Sequence, residues 1–161
     1  MNTGPITLVD NQCLRYAYGE VIEGIHDEFE SHPRLSLIGG SNTSFARIDG
    51  EGVVVRLMML DQLSEHRHAV GLMGCSHTHI VGGEYSSNSG DGGYLGPHVV
   101  GTDRIPCRNI SIDDAAFIAN RRQGISITSA VGVDIRNCTI LRTGGTSPQG
   151  GIDAEPNHPA D

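Results

Sequence analysis

The chain is 161 residues long, 17.1 kDa, which is room for one domain, and its 22 Gly against 4% aromatic residues and no Trp mark it as rich in turns and short of bulky core side chains. A formal charge of -8 argues against a phosphate-binding surface, so no nucleic-acid partner is expected, and because all 11 basic residues are Arg, lysine Schiff-base chemistry is excluded. No stretch reaches the ~20 apolar residues of a membrane-spanning helix and no secretion signal is visible at the N-terminus, so no membrane partner is expected either.

Residues 1–33 read as an N-terminal segment. Within it Val21, Ile22, Ile25 and Phe29 recur at helical spacing among acidic residues until Pro33, which predicts an amphipathic helix over 20–32. Such a helix would cover the open end of a β-stack, where backbone groups otherwise lack partners. From residue 34 the chain repeats itself. Segments 46–53, 78–85, 110–117 and 133–140 share apolar or small residues at their first, third, sixth and eighth positions. The third is always Ile, at Ile48, Ile80, Ile112 and Ile135, with spacings of 32, 32 and 23; the eighth is Val53, Tyr85, Phe117 and Ile140.

Alternation points one set of side chains inward, and the change of phase between the third and sixth positions is a bend between two short strands. A second register aligns Gly93, Gly124 and Gly151 at spacings of 31 and 27. Units of about three short strands in ~20–35 residues cannot bury their apolar faces alone and must stack. The expected fold is all-β, a parallel solenoid of about four coils over 34–157 with the capping helix before it. Residues 158–161 read as a truncated tail, because no cover for the last coil is seen and the natural chain is expected to continue.

Three runs carry a resemblance: 120–127 (Asn-Arg-Arg-Gln-Gly-Ile-Ser-Ile), 133–140 (Val-Asp-Ile-Arg-Asn-Cys-Thr-Ile) and 145–157 (Gly-Thr-Ser-Pro-Gln-Gly-Gly-Ile-Asp-Ala-Glu-Pro-Asn). They resemble coils of the right-handed parallel β-helix, or pectate-lyase-like, superfamily over about Arg34 to Asn157. The resemblance implies a right-handed solenoid, a polysaccharide partner, and an extracellular or phage-particle location. That superfamily includes lyases, hydrolases, epimerases and phage tailspikes, so it implies no single activity. The lyases' Arg-x-Pro-x-x-Arg signature has no counterpart here, nor do the polygalacturonases' paired Asp, Gly-His-Gly and Arg-Ile-Lys.

In a solenoid, substrate meets the outward side chains of neighbouring coils, ~4.8 Å apart. The second register sets Ser126 beside Asp153 and Thr128 beside Glu155, with Leu95 and Pro97 continuing the row. Upstream it sets Asp91 beside Arg122 and Gln149, and Gly90 beside Arg121. Asp153 and Glu155 lie two apart on one strand, which puts their carboxylates roughly 6.5 to 7 Å apart on one face. Inverting glycosidases use a separation of ~6.5–9.5 Å, one carboxyl protonating the leaving oxygen while the other activates water. Asp153 and Glu155 are therefore the expected acid and base, with Arg121, Arg122, Asp91, Ser126 and Thr128 as substrate-binding residues. The competing reading is an Asp-x-Glu pair salt-bridged to Arg122 with no catalytic role. A second function is a non-catalytic glycan-binding or scaffold β-helix, as in a tailspike or adhesin, the tailspike adding a homotrimer. Tyr85 and Phe117 point inward on this reading, which leaves Tyr94 and the N-terminal tyrosines as weak sugar platforms.

No cofactor is expected. His77 and His79 flank the inward Thr78, and His66 and His68 alternate likewise near Glu65; such pairs hold zinc only with a third ligand, and exposed surface histidines are the commoner case. Calcium is the cation the superfamily favours, with Asp113, Asp114 and Asp134 as its oxygens, against ordinary turn residues. Cys75 and Cys107 occupy one repeat position and are expected as close thiols, reduced or partly oxidised. Asn109, Asn120 and Asn137 are expected at bends or in side-chain ladders.

Overall fold

The computed structural model describes residues 2–24, 36–56, 65–159 and 161. Short strands separated by tight corners follow one another along the chain. After β1 (Asn2–Thr3), the first coil is β2 (Ile6–Thr7), β3 (Cys13–Arg15) and β4 (Val21–Gly24), and the second is β5 (Ile38–Ser41), β6 (Arg47–Asp49) and β7 (Val54–Arg56). The third is β8 (Val70–Met73), β9 (His79–Val81) and β10 (Glu84–Ser86). In the fourth, β11 (Gly93–Gly96) is followed by a protruding hairpin, β12 (His98–Val100) and β13 (Asp103–Ile105), then β14 (Cys107–Asp113) and β15 (Ala116–Ile118). The fifth is β16 (Ile125–Ile127), β17 (Ala130–Arg136) and β18 (Thr139–Leu141), and β19 (Ile152–Ala154) opens a further turn.

Equivalent strands stack into three parallel sheets. Sheet I is β2-β5-β8-β11-β16-β19, sheet II is β3-β6-β9-β14-β17 and sheet III is β1-β4-β7-β10-β15-β18. Among the described residues only the β12–β13 hairpin is antiparallel. The fold is an all-β parallel solenoid. Its inward files are single stacks of like side chains: Leu14, Ile48, Ile80, Ile112 and Ile135 pair coil by coil in sheet II. In sheet III the file is Ile22, Val55, Tyr85, Phe117 and Ile140, where the Tyr85 and Phe117 rings stack at 5.3 Å. Each fully buried apolar side chain contributes roughly 1.5–3 kcal/mol over its exposed state.

The corners are set by backbone conformation. Where each coil bends into sheet II, within β14 and β17 in the last two, one residue has a positive φ: Asn11 (58°), Phe45 (58°), His77 (50°), Asn109 (52°) and Gly132 (72°). Between sheets II and III the same holds for Gly82, Asp114 and Asn137, and after sheet III for Ser87, Ala119 and Arg142. Asn and Asp tolerate this region at low cost; Phe45 and His77 do not, and their exposed rings stack on one another at 4.7 Å, which offsets part of the strain.

Three expectations are corrected. Residues 21–24 of the anticipated helix form a strand, with Ile22 fully buried between Val55 and the core; 25–32 lie outside the described residues. Val21 and Ile22 fit the alternation of a strand as well as the spacing of a helix, and the open sheet edge decides between them. The stack also begins before residue 34, since β2, β3 and β4 already pair into the three sheets. Finally, Val53 does not belong to the file of Tyr85. Val55 does, because the Gly50-Glu51-Gly52 corner is two residues longer than its counterparts in the three coils that follow.

Candidate functional site

The outward face of sheet I changes character along the stack. Pairing places Thr7, Gly39, Gly71, Tyr94, Ser126 and Asp153 in one outward column. The adjacent column runs Ser41, Met73 and Gly96, then Thr128 and Glu155, which follow the paired Ile127 and Ala154. At its β19 end these columns wall a polar cleft of about 190 Å3, lined by Tyr94, Arg122, Gln123, Ser126, Thr128, Asp153 and Glu155 and closed on one side by Glu65 and His66. Ser126 does lie beside Asp153, and Asp153 and Glu155 face the same cavity, as the spacing anticipates.

Tyr94, only a weak sugar platform in the sequence reading, stands in the wall of the cleft. Its ring lies parallel to His68 at 4.7 Å and 6°, above Gly96, where a Cβ would come within 2.4 Å of the ring. Its hydroxyl accepts a hydrogen bond from Thr128 Oγ1 at 3.0 Å. Gly93 pairs with Ile125, so the row before Ser126 and Thr128 is Tyr94 and Gly96, not Leu95 and Pro97. The same one-residue shift sets Asp91 against Gln123, whose backbone N–H donates to Asp91 Oδ1 at 3.1 Å, and gives the carbonyl of Gly90 to Arg122, not Arg121.

Asp91, expected among the substrate-binding residues, is fully buried beneath the cleft and is not among the residues lining it. Burial pushes its carboxyl up to about 6, against the opposing pull of the Ser126 hydroxyl, Arg122 and the Gln123 N–H. His68, equally buried, accepts the Asp91 N–H at Nδ1 (3.1 Å), which leaves its proton on Nε2. Burial, with help from His66 and Arg122, lowers the imidazole to about 3. Above this pair, Arg122 sits 3.6 Å from Glu65 and 3.9 Å from Asp91. Gln123 Nε2 donates to Asp153 Oδ2 at 2.6 Å, and the Ser126 hydroxyl lies against both Asp91 Oδ2 and Gln123 Oε1. Arg121 is outside this assembly. Its Nε donates to Thr146 Oγ1 at 3.0 Å, and it is not among the residues lining the cleft.

The histidines and acids considered for metals are engaged elsewhere. His77 Nε2 lies 3.1 Å from Asn109 Nδ2 and His79 Nδ1 lies 2.7 Å from Ser111 Oγ. His66 is 3.6 Å from Glu65. Asp113 and Asp134 both bind Arg136, at 2.7 and 3.4 Å, and that guanidinium holds the Asp113 carboxyl below its ordinary value. Among the described residues no three His, Cys, Asp or Glu side chains are grouped to hold a metal ion. Cys75 and Cys107 are free, buried thiols on adjacent coils, joined through the Arg108 N–H to the Cys75 carbonyl at 2.9 Å. Burial pushes the Cys107 thiol up to about 11, which keeps it protonated and unreactive. Asn109 and Asn137 occupy left-handed corners, while Asn120 is buried and ladders with Asn88, whose Nδ2 donates to Asn120 Oδ1 at 2.7 Å.

No protein-family model, curated protein or solved structure matches the chain.

Proposed function

We propose that the chain is a right-handed parallel β-helix of the pectate-lyase-like kind that acts on an extended polysaccharide lying across sheet I, with Asp153 and Glu155 as acid and base. The supporting observation is the cleft itself: two carboxylates, on β19 and just after it, a guanidinium, two hydroxyls and a flat tyrosine ring face one cavity of about 190 Å3. A sugar ring presents an apolar face to Tyr94 and hydroxyls to Arg122, Ser126 and Thr128, which is the mixed chemistry that glycan sites use. One carboxyl would protonate the glycosidic oxygen as it leaves, and the other would take a proton from the attacking water.

A binding role without turnover is the second reading. It is favoured by Asp153 already accepting a hydrogen bond from Gln123, which orders that carboxylate as a recognition group. One experiment separates the two. On a panel of neutral and acidic polysaccharides, Asp153→Asn and Glu155→Gln should each lower turnover by about 100-fold or more while leaving glycan binding within about tenfold. Turnover that persists in both variants removes the pair from the mechanism. Glycan binding without turnover in the unaltered protein selects the binding role, and Tyr94→Ala should then abolish it.

A further inference from the structure

The hydrogen bonds under the cleft have a donor shortage at one atom. Ser126 has one hydroxyl hydrogen, yet its oxygen faces two acceptors, Asp91 Oδ2 at 2.8 Å and Gln123 Oε1. Gln123 cannot turn its amide to relieve this, because its Nε2 is committed to Asp153 Oδ2 at 2.6 Å. His68 supplies no hydrogen either, since its Nδ1 already accepts from the Asp91 backbone and stands 3.4 Å from Asp91 Oδ2 with a lone pair. Every acceptor is satisfied only when Asp91 carries a proton.

We infer that Asp91, Ser126 and Gln123 form a proton-controlled latch on Asp153. With Asp91 protonated, donors run in one direction: Asp91 Oδ2–H to Ser126 Oγ, Ser126 Oγ–H to Gln123 Oε1, and Gln123 Nε2–H to Asp153. When the Asp91 proton leaves to solvent, Ser126 turns its hydrogen to the new carboxylate, Gln123 Oε1 loses its donor, and the grip on Asp153 loosens. Asp91 is thus a positioning residue, and the inference rests on the reading of Asp153 as the reacting or binding carboxylate of the cleft.

The groups facing Asp91 agree with a proton held there at mild acidity. From the segment before β8 come neutral His68, with His66 behind it, and the backbone carbonyl of Arg67, which binds the Gly90 N–H at 3.0 Å. From the loop before β16 comes Arg122, shared with Glu65, and from β19 comes the repulsive Asp153. The Arg122 guanidinium is 3.9 Å away and divided between two carboxylates, so burial prevails and the carboxyl titrates at about 6.

The test is NMR on the full chain, following the Asp91 carboxyl carbon and the Gln123 side-chain amide between about pH 4.5 and 7.5. Both signals should move together with a midpoint of about 6. Asp91→Asn presents an N–H where the protonated acid has its O–H, and should freeze the Gln123 amide at its acid-limit position across the range. Ser126→Ala should leave Asp91 titrating while Gln123 no longer follows it. A Gln123 amide that ignores the Asp91 titration in the unaltered protein, or still tracks it in Ser126→Ala, overturns the latch. The readout contains no glycan, so the latch can stand while the polysaccharide panel fails, and the reverse.

Discussion

Asp91 and His68 are buried against one another, and burial moves them in opposite directions. The Asp91 carboxyl rises from 3.8 to about 6, so its protonated form stabilises the fold. That contribution is complete below pH 3.8 and is lost as pH rises through 6, a swing of about 3 kcal/mol. His68 falls from 6.5 to about 3, so its neutral form stabilises the fold. Its contribution is complete above pH 6.5 and is lost as pH falls toward 3, about 5 kcal/mol in all. Between pH 7 and 4 the gain at Asp91 and the loss at His68 offset one another to within about 1 kcal/mol. Single variants should expose the hidden slopes. Asp91→Asn should be more stable than the unaltered chain at pH 7 by about 1–3 kcal/mol and lose that advantage by pH 4. His68→Gln should instead become more stable as pH falls from 7 to 4, by about 2 kcal/mol, and so gain about 3 kcal/mol on the unaltered chain. Urea unfolding at a series of pH values measures all three curves, and parallel curves would show that the two groups are not coupled to folding.

At the scale of strands and corners, inward files were legible in the sequence wherever corners kept a constant length. Four residues lie between Ile80 and Tyr85, Ile112 and Phe117, and Ile135 and Ile140, and the repeat pattern finds those files; six lie between Ile48 and Val55, and there the pattern points to Val53 instead. The sheet I register failed for a different reason. Gly93 looked like the partner of Gly124, but glycine identity alone does not say which glycine stands where no Cβ fits. Gly92 is that residue: a Cβ there would come within 2.5 Å of Asn120 and 2.8 Å of the Gly124 carbonyl, whereas at Gly93 the nearest atom is 3.4 Å away. The one-residue error set Leu95 in the place of Tyr94 and left Gln123 out of the candidate site, while keeping Ser126, Asp153 and Glu155 in it. Register can be tested by substitution. Gly124→Ala forces a Cβ to 2.4 Å from Ile140 and 2.6 Å from the Gly151 carbonyl, and should cost about 1–3 kcal/mol. Gly93→Ala should change stability by less than about 1 kcal/mol in either direction. Equal effects at the two positions would mean that the glycines are not stacked as the pairing shows.

Over the whole molecule, the equal spacings of 32 between Ile48, Ile80 and Ile112 conceal two unequal events. The coil needs only 23 residues, as between Ile112 and Ile135, and the first 32 is reached by lengthening around sheet III and the segment before β8. The second is reached by the hairpin. Between the positions stacked with Gly96 and Cys107, coil three has Gly74 alone and coil five Ser129 alone, yet coil four has residues 97–106. A solenoid's stability is carried by contacts between neighbouring coils, so a protrusion that leaves the files intact should be dispensable. What the hairpin adds is local: Arg104 on Asp161 at 2.6 and 2.8 Å, His98 on Ser41 at 2.9 Å, and exposed Val99 and Val100. Replacing residues 97–106 by one Gly, the residue coil three uses there at a φ of 61°, should keep the β-sheet circular dichroism and a single cooperative unfolding transition. The stability lost should be about 2 kcal/mol or less, the worth of one partly exposed ion pair and one hydrogen bond. A shortened chain that fails to fold, or that unfolds in two steps, would show that the hairpin holds coils four and five together.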